Sequence, residues 1–191
     1  LNMITGTAIS DLEGLGDQHS HAERYVRLGE FITLMRELLT SPRPVTFAGR
    51  FYRANHLQLR PRLPAELMPE FLVAGQSEAA KWIARETGCI KMQMLPPDLE
   101  RGLNAPGMNF GIFARERGDD ARQAAKARFR DNPDDRELLA LTVENSDSVW
   151  KRRLYEGQSG EFQDNGYWLL PYLTFQADCP YLVGSYAEIG A

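Results

Sequence analysis

The chain has 191 residues, of which 43% are hydrophobic and 25% charged, a balance typical of globular proteins that bury a core. Its 22 Lys and Arg residues against 26 Asp and Glu residues give a net charge of −4, and no basic tract carries interleaved aromatic residues, which argues against nucleic acid as a partner. The apolar runs are too short to span a bilayer, so no membrane partner is expected.

Two cysteines without metal-type spacing favour a reducing cytoplasm. We expect a single domain over residues 1–191.

The first third of the chain predicts a strand end, a long helix and a hairpin. Leu1 to Gly6 is an apolar stretch that ends in Thr and Gly, as at the carboxyl end of a strand. Apolar residues from Ser20 to Thr40 recur at three- and four-residue spacing, which predicts a helix with one buried face. Val45 to Tyr52 (VTFAGRFY) predicts a short hairpin around Ala48-Gly49.

Three units of strand followed by helix are expected in the middle of the chain. The run FLVA at 71–74 meets Gly-Gln-Ser and then a helix-forming stretch. Cys89 to Leu95 and Met108 to Ala114 are further apolar runs, and the second precedes the helical sequence DDARQAAKARFRD. Continuous apolar strands are typical of a parallel sheet covered by helices, so the predicted class is α/β with these strands as parallel neighbours in chain order.

The last third of the chain gives weaker patterns. Arg136 to Leu154 has helical character, and Tyr155 to Asn165 is polar and contains glycine. We expect that second segment to be a mobile or poorly packed loop, as a lid over a pocket would be. Trp82, Trp150 and Trp168 are expected to be core or cleft aromatics.

The strongest candidate for chemistry is the turn Gly75-Gln76-Ser77. A turn between a buried strand and a helix presents backbone N–H groups and a hydroxyl where the helix dipole favours an anion such as phosphate. The alternative is that Ser77 only caps the helix, and spacing alone favours this alternative. For Thr5 there are likewise two interpretations, a residue at the end of a strand or a ligand contact.

No other residues form a recognisable catalytic or metal-binding set. His19 and His21 flank Ser20 without a third ligand at a suitable spacing, so no metal site is expected. Cys89 precedes an apolar strand and is interpreted as a small core residue. Acid–base carboxylate pairs are not distinguishable, so the catalytic residues remain unassigned.

Taken in order, the motifs resemble the bacterial luciferase-like family, most closely its branch of alkanesulfonate and related two-component monooxygenases. The resemblance covers nearly the whole chain. It rests on the order of the motifs and on their separation along the chain. These are NMITG at 2–6, HAERY at 21–25, EFITLMRELL at 30–39, VTFAGRFY at 45–52, FLVAGQSEAA at 71–80, RERGDDA at 115–121 and LVGS at 182–185.

The resemblance implies a TIM (β/α)8 barrel, here an incomplete portion from the end of the fourth strand to just before the eighth, with the cofactor at the strands' carboxyl ends. It also implies reduced FMN from a separate flavin reductase, O₂, and a small organic substrate. A partial barrel has open sheet edges, so we expect a homo-oligomer or association with the missing part of the barrel. Residues carried over as cofactor-binding are Asn2 and Thr5 near the flavin ring, His21 and Tyr25 toward the ribityl phosphate, and Gly75, Gln76 and Ser77 at the phosphate.

The chain departs from the alkanesulfonate branch at three positions. Asn109 and Gly111 stand where that branch has an Arg-x-His pair, and Phe175 stands where it has a mobile-loop arginine. A sulfonate would lose two cationic partners, so another substrate is expected. The alternatives are a non-catalytic flavin-binding or scaffold homologue and a barrel that uses a deazaflavin for hydride transfer.

Overall fold

The structure is a computed structural model that describes residues 1–99, 106–156 and 159–190. It divides into two compact units. The first comprises Leu1–Thr7 and Asp11–Lys91, and the second comprises Ala8–Ser10 and Met92–Ala191.

The first unit is built around a parallel strand pair and two helices. Its elements are β1 (Asn2–Met3), α2 (His21–Thr40), β2 (Val45–Ala48), β3 (Arg53–Leu57), a 3₁₀ turn (Ala65–Leu67), β4 (Leu72–Ala74) and α3 (Glu78–Thr87), while the short α1 (Ile9–Gly14) and β5 (Ile90–Met94) include residues of both units. β1 pairs in parallel with β4, and the N–H of Ile90 donates to the C=O of Phe71 at 2.9 Å. The predicted neighbourhood of the Phe71 and Ile90 strands is confirmed.

The helix α2 follows its sequence pattern closely. Ser20 is the N-cap, and its side chain and that of Glu23 form a capping box, which satisfies the backbone N–H groups of Ser20 and Glu23. Tyr25, Leu28 and Ile32 lie on the buried face and pack with residues of β1, β4 and α3. The predicted helix from Ser20 to Thr40 is confirmed, with Ser20 as its cap.

The hairpin is also present, although it extends further than predicted. β2 and β3 are antiparallel, and β3 runs beyond the predicted limit at Tyr52 to Leu57. Glu30 of α2 holds the turn, because its carboxylate accepts the backbone N–H groups of Arg50, Phe51 and Tyr52 at 2.5–2.7 Å. A long-range charge-assisted contact therefore fixes the hairpin to α2, which local sequence patterns do not reveal.

The second unit contains two parallel pairings and several helices. Its further elements are β6 (Gly107–Asn109), β7 (Gly111–Arg115), α4 (Gly118–Arg128), α5 (Pro133–Glu144), α6 (Val149–Tyr155), β8 (Tyr167–Trp168), α7 (Leu170–Leu173), β9 (Tyr181–Ser185) and α8 (Tyr186–Gly190). Met92–Met94 pair in parallel with β6, while β9 lies between β7, to which it is parallel, and β8, to which it is antiparallel.

One strand prediction is wrong in part. Met108 to Ala114 is not a single strand, because pairing stops at Phe110: β6 pairs with β5 and β7 pairs with β9. Phe110 packs into an apolar cluster of this unit instead of continuing the ladder. The predicted helix from Arg136 to Leu154 is likewise two helices, separated by residues 145–148, where the backbone N–H of Ser148 bonds to the hydroxyl of Ser146.

The strand β8 contributes one residue to each of two apolar clusters in the second unit. Tyr167 and Trp168 are both 1% exposed but, as neighbours along a strand, they point to opposite faces and enter different apolar clusters. Trp168 stacks on Phe162 with ring centroids 4.6 Å apart, and its indole N–H donates to the C=O of Gly160 at 2.9 Å.

These contacts correct part of the expected loop. Gly160 and Phe162 are anchored on Trp168, whereas Glu161 and Gln163 are exposed, and residues 157 and 158 of the predicted loop lie outside the described residues. The mobility of this loop stays a prediction. Trp82 is 40% exposed, so of the two alternatives, core or cleft, the core is wrong for this residue.

Candidate functional site

The pairing of β1 with β4 determines where the candidate residues of the first unit lie. Asn2 is opposite Leu72 and Met3 is opposite Val73, in parallel register. Thr5 and Gly75 follow these strands in the same direction, so both lie at the carboxyl edge. This placement of Thr5 and Gly75 agrees with the resemblance, which puts the cofactor at the carboxyl ends of the strands.

The turn after β4 has a conformation that favours glycine. Gly75 has φ +117°, and a Cβ at this position would lie 2.5 Å from the hydroxyl oxygen of Tyr25. Two residues later Ser77 is the N-cap of α3, and its side chain accepts the N–H of Ala80 at 3.2 Å. The capping role proposed as the alternative for Ser77 is therefore present.

Two side chains from the start of α2 contact this turn. Nε2 of His21 lies 3.1 Å from Oγ of Ser77, and the Tyr25 hydroxyl donates to the C=O of Ala74 at 3.2 Å. The two rings are themselves in contact, with centroids 5.2 Å apart. We call His21, Tyr25, Gly75 and Ser77 the turn cluster; in it the N-terminal ends of α2 and α3 come together.

The charged groups around the turn cluster are mostly paired. The pKa of Glu23 is lowered, mainly because its carboxylate accepts the backbone N–H of Ser20, and a hydrogen bond from Arg50 lowers it further. Lys81 donates to Glu78 at 2.5 Å and lowers the pKa of that carboxyl. Burial lowers the pKa of Lys91, and the nearby positive charge of Lys81 lowers it further.

Asn2 and Thr5 line a different recess. It has a volume of about 260 Å³, and its walls are Asn2, Met3, Ile4, Thr5, Arg24, Arg27, Leu28, Phe31 and Tyr52. The structure thus brings His21, Tyr25, Gly75 and Ser77 together, with Gln76 inside the turn, but it places Asn2 and Thr5 on this recess.

Sequence reasoning missed the arginines of the recess. Arg24 is only 5% exposed and donates from Nη1 to the C=O of His19 at 3.0 Å. Arg27 donates from Nη2 to Asp17 at 2.6 Å, and Asp17 is also 2.7 Å from Nδ1 of His19. These hydrogen bonds, that of Arg27 first, hold the pKa of Asp17 well below its usual range. The sequence pattern that could have indicated these arginines is the three-residue spacing of Arg24 and Arg27, which puts both on one side of α2.

In the second unit, Asn109 and Gly111 occupy the two positions where the alkanesulfonate branch has Arg and His. Asn109 ends β6, and Gly111 begins β7 with its N–H bonded to the C=O of Pro180 at 2.8 Å. A Cβ on Gly111 would lie 2.4 Å from the ring of Tyr181. A histidine at 111 would therefore require Tyr181 to move.

Comparison with known proteins identifies the family. The sequence model of the luciferase-like monooxygenases matches residues 1–144. The chain belongs to this family. The luciferase-like resemblance and the expected fold class, part of a TIM barrel, are confirmed, in keeping with the parallel strands of both units.

Three curated relatives illustrate the range of this luciferase-like family. The 4-(gamma-L-glutamylamino)butanoyl-[BtrI acyl-carrier protein] monooxygenase BtrO of Niallia circulans is 30% identical over 203 residues, covering 100% of this chain and 59% of its own length. The FMNH(2)-dependent dimethylsulfone monooxygenase of Pseudomonas putida is 32% identical over 85 residues, 44% of this chain and 23% of its own. The F420-dependent glucose-6-phosphate dehydrogenase of Intrasporangium calvum is 43% identical over 63 residues, 33% of this chain and 18% of its own.

The chain therefore spans less than two thirds of the length of these luciferase-like relatives. In the parts of the chain that the structure describes, no helix has both the length and the apolar character needed to cross a membrane. Within the same residues, no group of three or more His, Cys, Asp or Glu side chains is placed to hold a metal ion.

Proposed function

We propose that the protein is a flavin-dependent monooxygenase that uses reduced FMN and O₂ to oxygenate a small organic substrate other than an alkanesulfonate. Its turn cluster would hold the FMN phosphate. The observation that carries this proposal is the hydrogen bond between His21 and Ser77, at the point where the N-terminal ends of two helices come together. Both helix dipoles favour a negative charge there.

The residues of the turn cluster fit a phosphate. The cap bond from Ala80 uses one acceptor lone pair of Ser77, and His21 can donate to the other, which leaves the Ser77 O–H proton for a phosphate oxygen. Gly75 lets the turn adopt its positive φ next to the Tyr25 hydroxyl, with Gln76 in the same turn. Tyr25 supports the turn through Ala74. The capping and phosphate roles of Ser77 are compatible.

The protein's part in the reaction is to bind and orient. Bound reduced flavin supplies the electrons that activate O₂. The turn cluster would fix the phosphate end, and Asn2 of β1 and Thr5, just after β1, would line the flavin ring. No acid–base residue is assigned, because Asn109 and Gly111 offer no titratable group.

The wider setting of the site is also part of the proposal. We propose that residues 1–191 belong to one domain, a single larger barrel, completed by the missing part of the barrel or by association in a homo-oligomer. Reduced FMN would come from a separate flavin reductase in a reducing cytoplasm, and both described cysteines are free. The names of BtrO and of the dimethylsulfone enzyme describe substrates that are not alkanesulfonates.

Ser77→Ala is expected to weaken the binding of reduced FMN at least several-fold. It removes one hydroxyl contact to a charged oxygen, which is worth roughly 1.5–3 kcal/mol. Anaerobic fluorescence titration measures the affinity. Asn132→Ala is the matched control, because Asn132 caps α5 of the second unit through the N–H of Asp134. If Ser77→Ala lowers thermal stability but leaves flavin affinity unchanged, Ser77 is only a helix cap.

A second candidate is a non-catalytic flavin-binding homologue, favoured by Asn109 and Gly111 in place of a titratable pair. It would keep flavin affinity without turnover. Substrate-dependent O₂ consumption above the uncoupled background, with a reductase present, would exclude it.

A third candidate uses a deazaflavin for hydride transfer, and the name of the Intrasporangium calvum relative gives it weight. Comparing the absorption changes of reduced FMN and reduced deazaflavin on binding separates the two. Tighter binding of the deazaflavin would favour hydride transfer.

A further inference from the structure

A buried hydroxyl in the second unit has no hydrogen-bond partner in the described part of the chain. Tyr167 is 1% exposed, and among the described residues no donor or acceptor lies within bonding distance of its hydroxyl oxygen. Tyr172 is equally buried in the same apolar cluster, but its hydroxyl donates to the C=O of Lys151 at 3.1 Å. A buried hydroxyl without a partner destabilises the folded protein, so its presence calls for an explanation.

The cluster around Tyr167 lies where parallel strands end. Leu95 follows the last residue of β5, and Phe110 follows the last residue of β6, and both belong to this cluster. The carboxyl ends of parallel strands are where α/β proteins bind ligands. Met94 and Met108 also pack against the cluster, and methionine side chains rearrange readily to admit a guest.

The hydroxyl is suited to donate a hydrogen bond. Burial raises the pKa of Tyr167 to about 12, so the group stays neutral and keeps its proton over the physiological range. The backbone N–H of Tyr167 donates to the side-chain oxygen of Asn165 at 3.0 Å. The side-chain amide of Asn165 in turn donates to the C=O of Pro97 at 2.8 Å. The backbone of Tyr167 is thus held and its side chain is buried in the apolar cluster, while its hydroxyl has no partner among the described residues.

We propose that the Tyr167 hydroxyl is the hydrogen-bond donor of a small-molecule site in the second unit, which takes a compact apolar ligand bearing a carbonyl or similar acceptor oxygen. All residues of this site lie in the second unit. The proposal therefore stands apart from the phosphate site of the first unit, and either can fail without the other.

The first test compares two variants that each remove one buried hydroxyl. Tyr167→Phe is expected to melt at the same temperature as the wild type or above it, because no bond is lost. Tyr172→Phe loses a bond and is expected to melt about 2–4 °C lower. Thermal unfolding followed by circular dichroism measures both. A Tyr167→Phe variant that melts as low as Tyr172→Phe would show that the hydroxyl already has a partner, and the proposal would be overturned.

The second test uses two probes of nearly the same shape. Cyclohexanone carries an acceptor oxygen where methylenecyclohexane carries a CH₂ group. The wild type is expected to bind the ketone about fivefold more tightly, as one net hydrogen bond allows, with shifts in the methyl NMR signals of Met94 and Met108. The preference should vanish in Tyr167→Phe and persist in Tyr172→Phe. Equal affinity for both probes, a preference that survives in Tyr167→Phe, or no shift of these methyl signals would overturn the proposal.

Discussion

Gly75→Ala is expected to weaken reduced FMN binding at least about tenfold and to lower the free energy of unfolding by roughly 1–3 kcal/mol or more. The backbone at Gly75 has φ +117°, which an L side chain rarely adopts, and the new Cβ would lie 2.5 Å from the Tyr25 hydroxyl oxygen. The turn and Tyr25 must both shift, so the proposed phosphate contacts lose their geometry. Urea unfolding and anaerobic flavin titration measure the two effects.

The double variant Gly75→Ala/Tyr25→Phe separates the two causes. It removes the hydroxyl that the new Cβ meets, so part of the lost stability should return. Flavin affinity should stay low, because the turn remains strained and the bond from Tyr25 to Ala74 is gone. A Gly75→Ala variant with wild-type stability and affinity would contradict the described turn.

Trp168→Ala is expected to have the largest effect on stability, about 3–5 kcal/mol. Its ring is buried between Phe162 and Phe129, with centroids 4.6 Å and 5.9 Å away, and its indole N–H bonds to Gly160. Truncation would leave a cavity and release the segment from Gly160 to Phe162. Urea denaturation measures the loss, and hydrogen exchange of that segment should increase.

Trp82→Ala is the control for Trp168→Ala. Trp82 is 40% exposed, so its truncation should change the free energy of unfolding by no more than about 1 kcal/mol. Equal losses for the two tryptophans would contradict the described burial.

Much of the fold could be predicted because local patterns and tertiary contacts agree. The helix α2 has a cap and an apolar face in sequence, and the run FLVA followed by Gly-Gln-Ser contains its strand, its turn and its helix cap in adjacent residues. The neighbourhood of the Phe71 and Ile90 strands was predicted from two apolar runs separated by one helix.

Other features depend on distant residues and left no local pattern. The sequence from Met108 to Ala114 is apolar throughout, and only the choice of partner strands, β5 for one half and β9 for the other, breaks it at Phe110. The sequence after Tyr155 has polar, glycine-bearing residues typical of a loop, yet Phe162, in the part that the structure describes, stacks on Trp168. Tertiary packing overrode composition at both places.

The candidate site divides in the same way. The turn from Gly75 to Ser77 could be found from its sequence, and the part played by His21 required the family resemblance, because 56 residues separate it from Ser77. Arg24 and Arg27 were missed, because charged residues on a helix usually face solvent and only the structure shows that Arg24 is buried. Asn2 and Thr5 remain predictions as flavin contacts.

The most direct test of the account is an anaerobic titration of the protein with reduced FMN, in parallel with reduced riboflavin, which lacks the phosphate. We expect saturable binding of FMN at micromolar concentrations and at least about tenfold weaker binding of riboflavin, since a phosphate held by several charge-assisted bonds contributes more than 1.4 kcal/mol. No saturable binding of FMN, or equal affinity for the two flavins, would contradict the account.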